Sequence, residues 1–233
     1  MEVFKTETKI GLNKDKRTLS RKVFEYLYND ILFLKLKPGQ LIKEKEISTK
    51  LDVSRTPIRE ALLKLEDEGL VEIYPQRGTY ISKISIESVY ESHFIRESIE
   101  IATVKNAIEY GSVDFFKELN DINNKYKNKL TDNNINMLYK IDEEFHKKLS
   151  TFSFKGKIWD LLNTIKTDMN RVRLLGLNDP GRPFLVHKEH QIILDSIIKK
   201  DNHEAEIAVK KHLKYIFKEI KSAKNKYEIF FSK

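Results

Sequence analysis

Asp142 and His146 lie four apart in Ile141-Asp142-Glu143-Glu144-Phe145-His146, so on a helix both side chains face the same way. His190 precedes Ile193, Leu194 and Ile197 at core spacing, and His212 lies near Ala208, Tyr215 and Ile216. Three imidazoles and one carboxylate, drawn from three helices of a bundle, suit Zn²⁺, Ni²⁺ or Mn²⁺ and leave positions for water or another ligand. Taken singly, each histidine is more commonly a satisfied core or surface residue. The four together make a candidate divalent-metal site.

A second constellation has a different chemistry. Arg55 and Arg59 are also four apart, beside rather than within the apolar stripe Ile58, Ala61, Leu62 and Leu65. Thr56 sits one step round, at the start of the same predicted helix, where free N–H groups favour a phosphate. Arginines at the N-terminal half of a recognition helix can fork onto guanine O6 and N7 or clamp phosphates. Arg77-Gly78, at a predicted hairpin tip, suits a wing: the glycine lets backbone approach DNA and the arginine reaches a groove.

The elements that must position these residues follow from periodicity. Leu19, Val23, Tyr26, Leu27 and Ile31 recur at three and four, and Lys37-Pro38-Gly39 ends that helix. A short helix spans about 43–51, and Ser54 caps another that Gly69 stops. Residues 70–74 and 79–82 alternate around the turn Pro75-Gln76-Arg77-Gly78. Three helices and one hairpin describe a winged helix-turn-helix. From 86 onward only helical periodicity remains, in six spans near 86–110, 113–129, 132–152, 155–176, 183–200 and 202–225. They predict an antiparallel all-α bundle. The fold class is therefore mainly α, divided as 1–17 tail, 18–84 winged domain and 85–233 bundle.

Composition narrows the function classes. The 233 residues carry 43 Lys+Arg against 35 Asp+Glu, a net charge of +8, and residues 1–84 hold half of that excess. A dense positive charge on the shorter part suits nucleic acid. The absence of cysteine excludes disulfides, thiolate zinc sites and cysteine nucleophiles. No apolar run reaches the ~20 residues of a membrane helix, and the charged start is no signal peptide. These features predict a cytoplasmic protein with no membrane partner.

The run from Ile47 to Leu62, with Ser54-Arg55-Thr56-Pro57-Ile58-Arg59-Glu60-Ala61-Leu62 at its heart, then Glu68-Gly69-Leu70-Val71 and Arg77-Gly78-Thr79, resembles the DNA-binding domain of the GntR family of bacterial transcription regulators. The resemblance implies operator contacts from Arg55, Thr56, Arg59, Gly78 and a basic residue at Lys45. Lysine there lacks the bidentate fork of the arginine common in relatives. Asp142, His146, Glu189-His190 and His212 are similarly placed to the FCD effector domain of the FadR subgroup. That resemblance implies a divalent cation on Asp142, His146, His190 and His212, and a small carboxylate effector held partly by Arg96. Six helical spans are more like the VanR-type branch than the seven-helix FadR-type branch.

Other residues draw plainer readings. His187 is expected at the surface or pocket edge, Arg171 and Arg173 on a solvated face, and Trp159 in the core or an interface. Glu143 and Glu144 are expected to point away from the Asp142/His146 face. The sequence thus predicts a homodimeric, ligand-responsive DNA-binding regulator, a repressor, rather than an enzyme. Two rivals stand beside it: a metal-dependent enzyme that activates water, for which no general base or nucleophile motif is evident, and a DNA-binding protein with a purely structural metal.

Overall fold

The structure is a computed structural model, and it describes residues 18–232 except 133 and 155. The sequence-predicted tail, 1–17, lies outside the described residues. The chain divides into two units between Lys83 and Ile84.

In the first unit, Thr18 caps α1 (Leu19–Leu32), its side-chain oxygen accepting from the Arg21 N–H at 3.3 Å. The pair α2 (Glu44–Leu51) and α3 (Arg55–Asp67) is joined at Asp52, whose φ of 53° turns the chain left-handed. Ser48 Oγ donates to the Val53 carbonyl at 2.7 Å and the Val53 N–H returns to the Ser48 carbonyl, which fixes that turn. Gly69, at φ 69°, ends α3 by giving its N–H to Glu66, while Leu70 bonds back to Leu65. The wing is β2 (Val71–Tyr74) and β3 (Gly78–Ile81), paired antiparallel with Tyr74 opposite Gly78. A two-residue strand, β1 (Leu41–Ile42), adds to the other side of β3, giving the order β1-β3-β2. Val23, Leu27, Ile31, Ile58, Leu62, Leu65 and Ile81 meet in one core, so the wing is bonded to the helices that carry the arginines.

Eight helices follow among the described residues: α4 (Ile86–Tyr110), α5 (Val113–Asn128), α6 (Ile135–Phe154), α7 (Lys157–Ile165), α8 (Thr167–Gly176), α9 (Arg182–Ile198), α10 (Asn202–Leu213) and α11 (Ile216–Lys226). Ser85, Ser112 and Asp201 cap α4, α5 and α10 through side-chain oxygens. The expected count of six is corrected to eight, because 155–176 and 202–225 are each divided. The likeness to a six-helix branch rested on that count and goes no further. The first break falls at Lys166, where Ser92 Oγ takes the Ile165 carbonyl at 2.5 Å and the Lys166 side chain turns inward. The second falls at Lys214 and Tyr215. Phe145, Leu149, Ile193, Leu194, Ile197, Val209 and Leu213 form the bundle core, directly beside the Asp/His positions. No helix among the described residues is long and apolar enough to cross a membrane.

Candidate metal centre and nucleic-acid interface

In the winged unit the apolar stripe of α3 faces inward, and this leaves Arg55, Thr56 and Arg59 exposed on its outer side. Arg59 Nε lies 3.4 Å from Glu44 Oε2, a surface pair that water screens. Lys45 is exposed on α2. At the wing tip the Arg77 guanidinium lies 5.9 Å over the Tyr74 ring, and Tyr80 Oη donates to the Arg77 carbonyl. Gly78 has a second reason to be glycine besides any approach to DNA. Its φ is 110°, and a Cβ there would stand 2.8 Å from Leu41 Cδ1 on β1.

In the bundle, α6 carries Asp142 and His146, α9 carries His190, and the last turn of α10 carries His212. The structure brings them together: one ligand atom of each lies within 4.8 Å of the others, and all four residues are buried. Asp142 Oδ1 is 3.4 Å from His190 Nε2 and 3.8 Å from His146 Nε2. His146 Nε2 and His212 Nε2 are 3.2 Å apart. The opposite nitrogens face carboxylates: His146 Nδ1 is 2.8 Å from Glu100 Oε2, and His212 Nδ1 is 2.8 Å from Glu189 Oε2. His190 stacks flat on Phe145, with ring centroids 4.1 Å apart.

Those second partners decide what the cluster can do. A proton on each Nδ1, facing its carboxylate, leaves the Nε2 lone pairs of His146 and His212 pointing at one another. In that tautomer the two lone pairs repel unless a cation lies between them, while a proton on either Nε2 would close a hydrogen bond instead; His190 Nε2 is buried with only the Asp142 carboxylate, 3.4 Å away, beside it. Burial pushes His190 down to about 3, against the pull of Asp142, and pushes His212 down against Glu189. Burial opposes the Asp142 charge as well, yet Arg173, His146 and His190 hold its carboxyl well below the usual range. For His190 and His212 the neutral imidazole, and for Asp142 the ionised carboxylate, are the protonation states that metal ligation requires. The donor set fits a divalent cation.

Beside the cluster lies a small cavity of about 30 Å³ lined by Arg96, Arg173 and Arg182, with Asp142 and His212 in its wall. Arg96 Nε gives a hydrogen bond to Glu100 at 2.5 Å, but its Nη2 is buried without a partner among the described residues. Arg173 is bound to Asp142 and, at 2.7 Å, to Glu143. Arg182 spans Glu189 at 2.8 Å and Glu219 at 2.9 Å. Leu177, Val186 and Ile216 supply apolar wall.

Several expectations are corrected here. Arg171 is fully buried against Asp168, and Arg173 lines the pocket; neither lies on a solvated face. Glu143 does point away from the cluster but is not solvated, because it accepts from Arg173 and Lys166; Glu144 is exposed and pairs with Lys125. His187 lies outside the cluster, its Nδ1 3.1 Å from Asn123 Oδ1, and Trp159 is buried. Sequence reasoning missed Arg182 and Glu100 outright, and gave Glu189 no partner. The i, i+4 spacing of Arg96 and Glu100 and the i, i+7 spacing of Arg182 and Glu189 were the available signals.

Comparison with known proteins joins the two units. Residues 19–81 match the model described as bacterial regulatory proteins, gntR family, and residues 91–215 match the FCD domain. The HTH-type transcriptional repressor RspR of Escherichia coli strain K12 is 28% identical over 92% of this chain and 94% of its own length. An HTH-type transcriptional regulator in an unstable DNA locus of Streptomyces ambofaciens is 30% identical over 88% of this chain and 86% of its own. Among solved structures, a GntR transcriptional regulator of Rhodococcus sp. RHA1 superposes with a TM-score of 0.73 at 20% identity, covering 87% of this chain and 98% of that one. E. coli McbR/YncC gives 0.73 at 18% identity, over 88% and 99%.

Proposed function

The chain belongs to the gntR family of bacterial regulatory proteins and carries an FCD domain, and on that premise we propose that this DNA-binding regulator is a homodimeric repressor whose operator affinity is set by a small carboxylate at a divalent-metal site. One observation carries the ligand reading: Arg96, whose Nη2 is buried without a partner among the described residues, lines the same pocket as Asp142 and His212 of the cluster. Asp142, His146, His190 and His212 would hold the ion, which supplies positive charge and open positions to a carboxylate oxygen. Arg96 takes another oxygen of the same ligand, and the apolar wall excludes water from the pair. Glu100 and Glu189 orient the imidazoles, and Arg182 orients Glu189. Arg173 keeps Asp142 ionised by holding its outer oxygen.

On DNA, Arg55, Thr56 and Arg59 read or clamp the major groove, with Lys45 on phosphate and Arg77-Gly78 at the wing. A homodimer places two recognition helices in successive major grooves ~34 Å apart on a pseudo-palindromic operator. The carboxylate changes the relative placement of those helices and so the operator affinity. The name of the E. coli relative, a repressor, supports that direction.

The test is a mobility-shift titration of zinc-loaded protein on its operator, with and without a panel of small carboxylates, repeated after chelation. The reading expects a carboxylate to move operator affinity only when metal is present. Affinity indifferent to both would leave the metal structural. Turnover of any of the acids would favour the enzyme instead.

A further inference from the structure

Behind the metal ligands a chain of ion pairs runs on from Arg173, which the sensing site uses, to residues that it does not use. Arg173 holds Asp142 Oδ2 through one nitrogen and Glu143 Oε1, at 2.7 Å, through another. Glu143 Oε2 accepts from Lys166 at 2.5 Å. The Lys166 ammonium, in a residue only 2% exposed, lies 3.7 Å from the ring centroid of Trp159. Each member leans on the next, because a buried charge needs its partner and has no water to turn to.

The placement of the far end gives the chain a consequence. Lys166 is the residue at which α7 and α8 break, with φ −95° and ψ 15°, and Trp159 lies on α7. Asp142 offers Oδ1 to His146 and His190 and Oδ2 to Arg173. A cation at Oδ1 therefore draws on the same carboxylate charge that holds Arg173 and also repels the guanidinium directly. Arg173 then leans further on Glu143, and Glu143 has less charge to give Lys166.

Resting on the metal reading above, we infer that Asp142–Arg173–Glu143–Lys166–Trp159 is a relay that reports occupancy of the Asp/His cluster to the α7–α8 joint, with Glu143 as its positioning residue. The output is a change in how the Lys166 ammonium sits on the Trp159 ring and hence in how α7 seats against α8. Trp159 is the chain's one tryptophan, so its fluorescence reads this joint alone.

The experiment titrates metal-free, full-length protein with Zn²⁺, a closed-shell ion with no redox chemistry. Tryptophan emission and zinc uptake, by competition with a chromophoric chelator, are followed together. The relay requires an emission change that saturates with zinc uptake in the wild type. It also requires that change to be lost in Glu143→Gln and in Lys166→Met while both variants still take up zinc. Lys166→Met keeps an unbranched side chain, one atom shorter, and removes the ammonium with its charge and donors, which provides a second variant should the Glu143 one not fold. Zinc uptake with no emission change, or an undiminished change in a folded variant, overturns the relay and leaves the metal site standing. No zinc uptake by the wild type overturns the metal reading, and the relay with it.

Discussion

His146 and His212 bring their Nε2 atoms within 3.2 Å, and each has its Nδ1 2.8 Å from a separate carboxylate, Glu100 for one and Glu189 for the other. The carboxylates come from α4 and α9 and the imidazoles from α6 and α10. Four helices must therefore pack in register before two lone pairs face each other. With a proton on both Nδ1 atoms that arrangement favours a cation between the rings, whereas a proton on either Nε2 would make it a hydrogen bond.

His190→Ala removes one of four ligand atoms and should sharply lower the zinc that copurifies, as read by elemental analysis. His187→Ala should leave it unchanged, since His187 is occupied with Asn123 outside the cluster. Glu189→Gln, which leaves all four ligands in place, should cost about 10- to 100-fold in zinc affinity because His212 loses its orienting carboxylate. Equal metal in wild type and His190→Ala would remove the assignment.

Acid should destabilise the metal-free bundle well above the carboxylate range. In the unfolded chain His190 takes a proton as pH falls through its ordinary value of 6.5, whereas burial in the fold holds it to about 3. The unfolded state binds more protons throughout that window, so folding stability is full above it and falls as pH drops. His212 acts in the same direction. Thermal unfolding of chelated protein should therefore show a lower midpoint at pH 5 than at pH 7. His190→Phe keeps a ring on Phe145 and should flatten that dependence; an unchanged slope would mean the imidazole does not titrate with unfolding.

Arg59 is exposed and lies off the α3 stripe, so Arg59→Ala should leave the thermal midpoint within error. Operator affinity should fall by ~1–3 kcal/mol if the guanidinium meets a base edge. A phosphate contact would instead weaken all sequences alike and reduce the salt slope by about 1. Mobility shifts at several salt concentrations separate the two. Unaltered binding at every salt would take α3 out of the reading role.

Local patterns carried the winged unit because its determinants are local: the stripe of α3, the left-handed Gly69 and the alternation on either side of the wing turn. The two-residue β1 was not legible, since its pairing with β3 is made by residues nearly forty positions away. Asp142 and His146 were legible by their i, i+4 spacing, and His190 and His212 by their place on apolar faces. The residues that hold them were not. Arg173 reads as a surface residue until Asp142 and Glu143 on another helix are seen beside it. The α7–α8 break has no glycine or proline to announce it. Ser92, 73 positions upstream of Ile165, takes the carbonyl that would have continued the helix.

Gly176 offers a test of how tightly the pocket's supports are coupled. It ends α8, and a Cβ there would lie 2.5 Å from Glu219 Cγ and 2.6 Å from Glu219 Cδ on α11. Replacing a helical glycine by alanine ordinarily stabilises by up to ~1 kcal/mol. Here the added methyl must displace a buried carboxylate that burial pushes up in pKa and that accepts from Arg182. Overpacking of this kind costs ~1–3 kcal/mol, so the contact should outweigh the propensity and Gly176→Ala should unfold earlier in urea. The disturbance should also travel. Glu219 shares Arg182 with Glu189, and Glu189 faces His212, so zinc affinity should fall although no ligand has changed. Glu219→Ala removes the atoms that the methyl would meet, and the double variant should be more stable than the sum of the two single losses. Strict additivity in that cycle, or a Gly176→Ala chain as stable as wild type, would show that α8 and α11 yield at this contact without straining Arg182.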